Sequence, residues 1–218
     1  MNKHHIFIAG GTGYMGTRLI AMLLQRGHRV RALARQDSAQ KLPPGCVPII
    51  GNALDKNSYA EHISPADTFV HLAGVSHPNP SKAEQFRAID LVSVQNSVPA
   101  TVAAGVKHFV YVSVAHPAPI MQAYWQVRAE CEALIRASGL SATILRPWYV
   151  LGPGHWWPYV LVPMYWLFER LPSTRDTARR LGLVTLKQML HALAGAVENS
   201  SQGIRVLDVE QIRHAELI

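Results

Sequence analysis

The chain is poor in cysteine, in acidic charge and in long apolar runs, and each shortage removes a class of protein. Two cysteines, Cys46 and Cys131, are too few for a disulfide framework or a cysteine-only zinc site. Far apart in sequence, they read as reduced thiols and point to a reducing, cytoplasmic setting. Charged residues make up only 16% of the chain against 49% hydrophobic, which excludes disorder as the main state. No apolar stretch matches the roughly 20 residues of a membrane span without interruption. The opening Met1-Asn2-Lys3-His4-His5 leads into only four apolar residues and then a glycine loop, which is not the pattern of a signal peptide. Eleven histidines form no zinc signature, so no metal is expected. A Gly-x-Ser-x-Gly elbow is lacking, as is any nucleic-acid motif, so neither a serine hydrolase nor a nucleic-acid partner is expected.

What is present is an alternation. Apolar runs of strand length at Ile6–Ala9, Val30–Ala34, Val47–Ile50, Thr68–Leu72, Phe109–Ser113 and Thr143–Arg146 are separated by helical patterns. The helices are expected over Thr12–Arg26, Ser81–Gly105 and Tyr124–Ser138, with Gly27 and Gly139 as stops and Pro99 as a candidate kink. Strands alternating with helices predict an α/β fold: a doubly wound parallel sheet covered on both faces. With 218 residues, the chain accommodates one such domain over 1–150 and a small C-terminal substrate cap over 151–218 that completes it. In that last part, 182–198 reads as strand, turn and helix, and Gly203–Val209 as a short strand.

Gly10-Gly11-Thr12-Gly13-Tyr14-Met15-Gly16 follows the first strand and opens the first helix. Gly10, Gly13 and Gly16 recur every three residues. That spacing serves a tight turn, a close approach to a pyrophosphate, and close packing of helix on strand. The free N–H groups and positive end of the helix then hold phosphates. Where the second strand ends, a 2′-hydroxyl ribose prefers an acidic residue and a 2′-phosphate prefers arginine. Arg35 stands there, so NADP is favoured over NAD, with Arg31 as a helper if it faces the same side and Asp37 as a nearby competitor.

The combination of that loop with Gly51-Asn-Ala-Leu-Asp55, His71-Leu-Ala-Gly74, Ala104-Gly-Val-Lys-His-Phe-Val-Tyr-Val-Ser113, Ser138-Gly-Leu-Ser-Ala-Thr-Ile-Leu-Arg-Pro147 and Leu151-Gly-Pro-Gly154 resembles an atypical or extended-type short-chain dehydrogenase/reductase of the NAD(P)-binding, epimerase-like group. The resemblance runs nearly the whole length. It implies a Rossmann fold, with Asn52 and Ala53 by the adenine, Leu72, Ala73 and Gly74 along the cofactor's ribose and phosphates, and Pro147 and Val150 at the nicotinamide end.

The family's proton-transfer set is a tyrosine, a lysine four residues later, a serine or threonine, and an asparagine. The lysine lowers the tyrosine's pKa and holds the nicotinamide ribose. Here Tyr124 is followed by Arg128, Asp90 stands at the asparagine's place, and the serine position falls on Val114 with Ser113 beside it. Arginine is a fixed cation that can still depress a tyrosine pKa, but its planar fork differs from an ammonium. The resemblance therefore implies an oxidoreductase or epimerase-like enzyme on a small organic substrate, with Tyr124, Arg128 and Ser113 as its catalytic candidates and an altered site. The alternative is an inactive NADP(H)-binding sensor or scaffold.

His77 and His116, each before a proline, are candidate loop contacts to substrate. The run 155–171, rich in Trp and Tyr, reads as a helix over the substrate cleft or at a homodimer contact, with a membrane-surface contact as its alternative. Arg170, Arg175, Arg179 and Arg180 form a basic cluster suited to an anionic substrate or a solvated face.

Overall fold

The computed structural model describes residues 3–154, 160, 170, 177 and 180–215. Its strands are β1 His5–Ala9, β2 Arg29–Ala34, β3 Val47–Ile50, β4 Thr68–His71, β5 His108–Val112, β6 Ser141–Leu145, β7 Tyr149–Leu151, β8 Leu183–Thr185 and β9 Ile204–Leu207. Seven of them form one parallel sheet in the order β3-β2-β1-β4-β5-β6-β9. A separate parallel pair joins β7 to β8. The helices are α1 Tyr14–Gln25, α2 Ala83–Gln85, α3 Val92–Ala103, α4 Gln122–Ala137, α5 Leu186–Glu198 and α6 Val209–His214. This is the doubly wound arrangement that the alternation predicts, a Rossmann-like fold.

The sheet splits the core by the strand period of two. In β1, Ile6 and Ile8 face one way, against Leu19 and Leu23 of α1 and Leu193 of α5. Phe7 and Ala9 face the other way, toward Val98 of α3 and Val127 and Ile135 of α4. The register places Phe7 opposite Phe69, and Phe69 opposite Phe109. Their rings stack in sequence at 5.3 Å each. Such offset pairs add roughly 0.5–1.5 kcal/mol each beyond burial. β4 and β5 are buried at every residue, as expected of central parallel strands.

Three local features differ from expectation. Pro99 lies inside α3 without ending it. It is exposed, so the carbonyl it deprives of a partner one turn back faces water. The helix does widen, but earlier, into a π turn over Phe86–Leu91 that buries both Phe86 and Asp90. The expected strand over Gly203–Val209 stops at Leu207, because Asp208 and Gln211 form a capping box that starts α6. Gly27 and Gly139 do end their helices, at φ +83° and +75°.

The sheet order reverses between β1 and β4. The carboxyl ends of these strands form the crevice where open α/β sheets bind ligands.

Candidate active site

At the end of β1 the chain turns at Gly10 with φ +85°. A Cβ there would lie 2.6 Å from Ala73 N and Leu72 C, so the turn requires glycine both for its torsion and for its contact with the β4 loop. Gly11 packs beneath, where a Cβ would come within 2.7 Å of that of Ala32. Gly16 sits under the Gly10–Gly11 backbone, which a Cβ would strike. Gly13 is the N-cap of α1, without a side-chain cap and with no acidic residue in the first turn. The first N–H groups of a twelve-residue helix are thus left for an anion.

These elements open a cleft of about 400 Å³. It brings together Gly10, Thr12, Gly13, Arg35, Asn52, Ala53, Leu72, Ala73 and Gly74, all predicted from sequence. Gly11, Gly16, Tyr14 and Met15 support it from outside the wall. Tyr14 and Met15 pack against the core on the α1 side, with the Arg18 guanidinium 4.3 Å over the Tyr14 ring. Pro147 and Val150 also lie off this wall; the Pro147 carbonyl accepts from Ala115 N–H and Val150 belongs to β7. The wall adds Lys82, Gln85, Ile89 and Ser93, which no motif marked. Their spacing of three or four, on one helix face above Gly74, is the signal that points to them.

Arg35 sits on the rim, with its side chain 76% exposed and 3.9 Å from Asp37. A pair so long and so wet holds the guanidinium only weakly. Arg31 does not assist it. Its guanidinium is taken up by the His62 and Ser64 carbonyls at 3.1 and 2.6 Å, on the face of β2 that it shares with the cleft-lining Leu33.

Below Gly74 lie the residues at the positions where a proton-transfer set is expected. Arg128 Nη2 is 2.5 Å from Asp90 Oδ1, and the side chains are 9% and 0% exposed. Asp90 Oδ2 accepts from Val75 N–H at 3.0 Å. Arg128 Nη1 donates to the Val112 carbonyl at 2.9 Å and to the Tyr111 hydroxyl at 3.2 Å. Gly74 permits this closeness, since a Cβ would stand 2.7 Å from Arg128 Nη2 and 2.8 Å from Asp90 Oδ1. Val75 N–H is the one hydrogen-bond donor to the Asp90 carboxyl among the described residues, and Arg128 meets Oδ1 as an ion pair without hydrogen-bond alignment. Burial raises that carboxyl above its ordinary value, with the guanidinium and the Val75 N–H pulling it down without outweighing burial. Arg128 Nε is buried without a protein partner, which leaves one donor for a bound group.

Tyr124 stands one helical turn before Arg128, its ring 5.2 Å from the guanidinium carbon and 4.9 Å from the Phe86 ring. Burial raises the hydroxyl's pKa above its ordinary value; Arg128 pulls it down without outweighing burial, and Asp90 pushes it up again. The depression expected from an arginine beside the tyrosine is therefore offset in this structure. Tyr124 does not line the cofactor cleft; it lines a second pocket of about 110 Å³ with Pro80, Phe86, Met121, Gln122 and Ala123.

Ser113 is held elsewhere. Its hydroxyl donates to Glu132 Oε1 at 2.7 Å, and no hydrogen bond to Tyr124 is found among the described residues. Glu132 also pairs with His116 Nε2 at 3.2 Å and with Arg146 Nε and Nη2 at 2.9 and 2.6 Å. His116 in turn stacks on Trp125 with ring centres 6.2 Å apart. The loop after β5 is thus tied to α4. Burial pushes the Glu132 carboxyl up, but the His116, Arg146 and Ser113 hydrogen bonds prevail and bring it down to about 2 from 4.5. A carboxylate with a depressed folded pKa stabilises fully above its unfolded value and loses that contribution as pH falls through the folded one. Glu132→Gln is expected to lose about 3 kcal/mol at neutral pH, and to unfold with a shallower dependence between pH 4.5 and 2. Urea unfolding across that window checks this, and equal slopes for both proteins would count against the assignment.

Of the remaining candidates, His77 takes φ +51° in the loop after β4. Arg180 Nη1 donates to the Pro117 carbonyl. Arg175, Arg179 and most of the 155–171 run lie outside the described residues. Among the described residues no group of three metal-binding side chains forms, and no helix is long and apolar enough to cross a membrane. Sequence reasoning misses His71. Buried beside Tyr111 with ring centres 5.7 Å apart, it is held neutral by burial and by Arg128, its pKa lowered to about 3.

The NAD(P)H-binding family matches residues 10–153. A ketoreductase of Stigmatella aurantiaca, acting on 4-hydroxy-2-methyl-3-oxo-4-farnesyl-3,4-dihydroquinoline-1-oxide, is 27% identical over 67% of this chain and 50% of its own length. A 3-beta-hydroxysteroid dehydrogenase of Mycolicibacterium neoaurum is 29% identical over 49% of this chain and 31% of its own. The chain therefore spans half or less of these relatives. Among solved structures, the Bordetella bronchiseptica enzyme WbmH in complex with NAD+ superimposes with a TM-score of 0.70 at 22% identity, covering 96% of this chain and 79% of that one. At that identity the likeness concerns the fold.

Proposed function

The chain belongs to the NAD(P)H-binding family, and from that premise we propose an NADPH-dependent reductase of lipophilic carbonyl compounds, of the epimerase-like short-chain dehydrogenase/reductase type. The observation that carries the reading is the occurrence, in one chain, of an intact cofactor cleft and a mostly apolar pocket that Tyr124 lines together with Phe86 and Met121. The cofactor fits three features of the chain: the glycine cradle at Gly10, the uncapped α1 N-terminus, and the buried Arg128 Nε donor below Gly74. In this reading α1 and Thr12 hold the pyrophosphate, Asn52 and Ala53 lie by the adenine, and Arg35 meets a 2′-phosphate. When bound, the reduced nicotinamide supplies hydride.

The chain's own groups do the rest. Tyr124 presents its hydroxyl proton to the carbonyl oxygen, and Arg128 fixes the ring from below. Pro80, Phe86 and Met121 take an uncharged part of the substrate, a few carbons in size, since a cavity of about 150 Å³ holds benzene. The two relatives act on a farnesylated quinoline oxide and a steroid, both lipophilic.

Calorimetric titration tests the cofactor assignment. NADPH is expected to bind more tightly than NADH, and Arg35→Ala to weaken NADPH about tenfold, or roughly 1.4 kcal/mol, while leaving NADH unchanged. NADH binding at least as tightly to the unaltered protein would overturn the choice of NADP. A panel of lipophilic ketones and quinones then reads NADPH oxidation. Tight NADPH binding without turnover on any of them would favour the sensor or scaffold.

A further inference from the structure

The family's lysine and asparagine are replaced together here, and the two replacements touch. An isolated arginine below Tyr124 would present an uncompensated positive charge to the phenol. In this chain the charge is met at 2.5 Å by Asp90, on an element 38 positions away in sequence, with both side chains buried. We infer that Asp90 is a positioning residue that neutralises Arg128 and so keeps the Tyr124 hydroxyl protonated, the form that gives a proton to a carbonyl oxygen. This deepens the proposed reductase function and rests on that reading for its substrate side.

Every group packed around the tyrosine points the same way. Phe86 of the π turn offers only a ring edge, 4.9 Å centre to centre. Tyr111 of β5 accepts from Arg128 and is buried, so its own ionisation is pushed far up. Cys131 of α4 has its thiol raised to about 11 by burial, and His71 of β4 is lowered to about 3. Both are uncharged at neutral pH. Glu132, the second carboxylate along α4, is bound by Arg146. Arg87 and Glu130 pair with each other at the exposed surface. Asp90 is therefore the anion that balances Arg128.

The chemical step balances without another group. The carbonyl carbon gains hydride from the reduced nicotinamide, which is left oxidised. The C=O π bond breaks, the oxygen takes the proton of Tyr124, and water returns a proton to the phenolate.

The test does not need turnover. Tyrosinate absorbance is followed with pH in the unaltered protein, in Asp90→Asn, and in each combined with Tyr124→Phe, so that subtraction isolates Tyr124 among the seven tyrosines. In Asp90→Asn, Tyr124 is expected to ionise roughly one pH unit lower or more, because Arg128 is no longer balanced. The double variant Asp90→Asn/Arg128→Lys restores the family's pair and is expected to shift in the same direction, which covers the case in which the single variant folds poorly. The pH midpoint of alcohol oxidation should move down by the same amount. An unshifted Tyr124 titration in folded Asp90→Asn would overturn the inference, even if activity fell. A shifted titration in a protein that reduces no carbonyl would instead count against the reductase reading alone.

Discussion

Arg128→Ala is expected to destabilise the protein by about 3–5 kcal/mol, as removal of one partner from a buried ion pair does. The cost comes less from the attraction lost than from what remains. Asp90 would keep a carboxylate with no exposed side-chain surface and only the Val75 N–H to meet it. The Tyr111 hydroxyl and the Val112 carbonyl would also lose their donor. Denaturant unfolding at neutral pH reads the loss. Asp90→Ala/Arg128→Ala should cost clearly less than the two single losses summed, because the double variant buries neither charge alone. Strict additivity would mean that the 2.5 Å contact contributes no coupling.

Tyr124→Phe carries the largest kinetic effect. Loss of a positioned proton donor is expected to lower NADPH-dependent reduction by about 10²–10⁴-fold. The substitution keeps the ring, and with it the contacts to Phe86 and the Arg128 guanidinium, so folding and NADPH affinity should stay near those of the parent. A fall in kcat with little change in KM is the signature of a group that acts in the transition state. Unchanged turnover in Tyr124→Phe would remove the tyrosine from the mechanism. Together the two variants separate the roles: Arg128 is weighed first by stability and Tyr124 by rate.

Much of this architecture is legible in the amino-acid sequence. The glycine spacing of residues 10–16 fixes a turn and a helix start within seven positions, and the cleft forms there as the spacing requires. The strands are readable because central parallel strands are buried on both faces and so carry unbroken apolar runs. Arg35 reaches the rim because it directly follows β2. Arg31 is ambiguous in the sequence, since a strand alternates its faces and only the sheet's surroundings show which face meets the cofactor. It turns toward the His62 and Ser64 carbonyls. Ser113 falls next to the serine position by spacing, but its bond to Glu132 spans two elements and leaves no sequence pattern.

The sequence alone pointed to the strands, their alternation with helices and the glycine turn, because each leaves a pattern among a few neighbouring residues. It also showed that lysine and asparagine are missing from their places. Only the tertiary structure decided that the two residues in their stead, Arg128 and Asp90, meet as a buried pair. A π turn rotates Asp90 inward, the β4 loop leaves room at Gly74, and α4 brings Arg128 to 2.5 Å. The protonation of Tyr124 follows from that sum, because electrostatics inside a protein depends on distance and burial across all the packed elements and not on position along the chain.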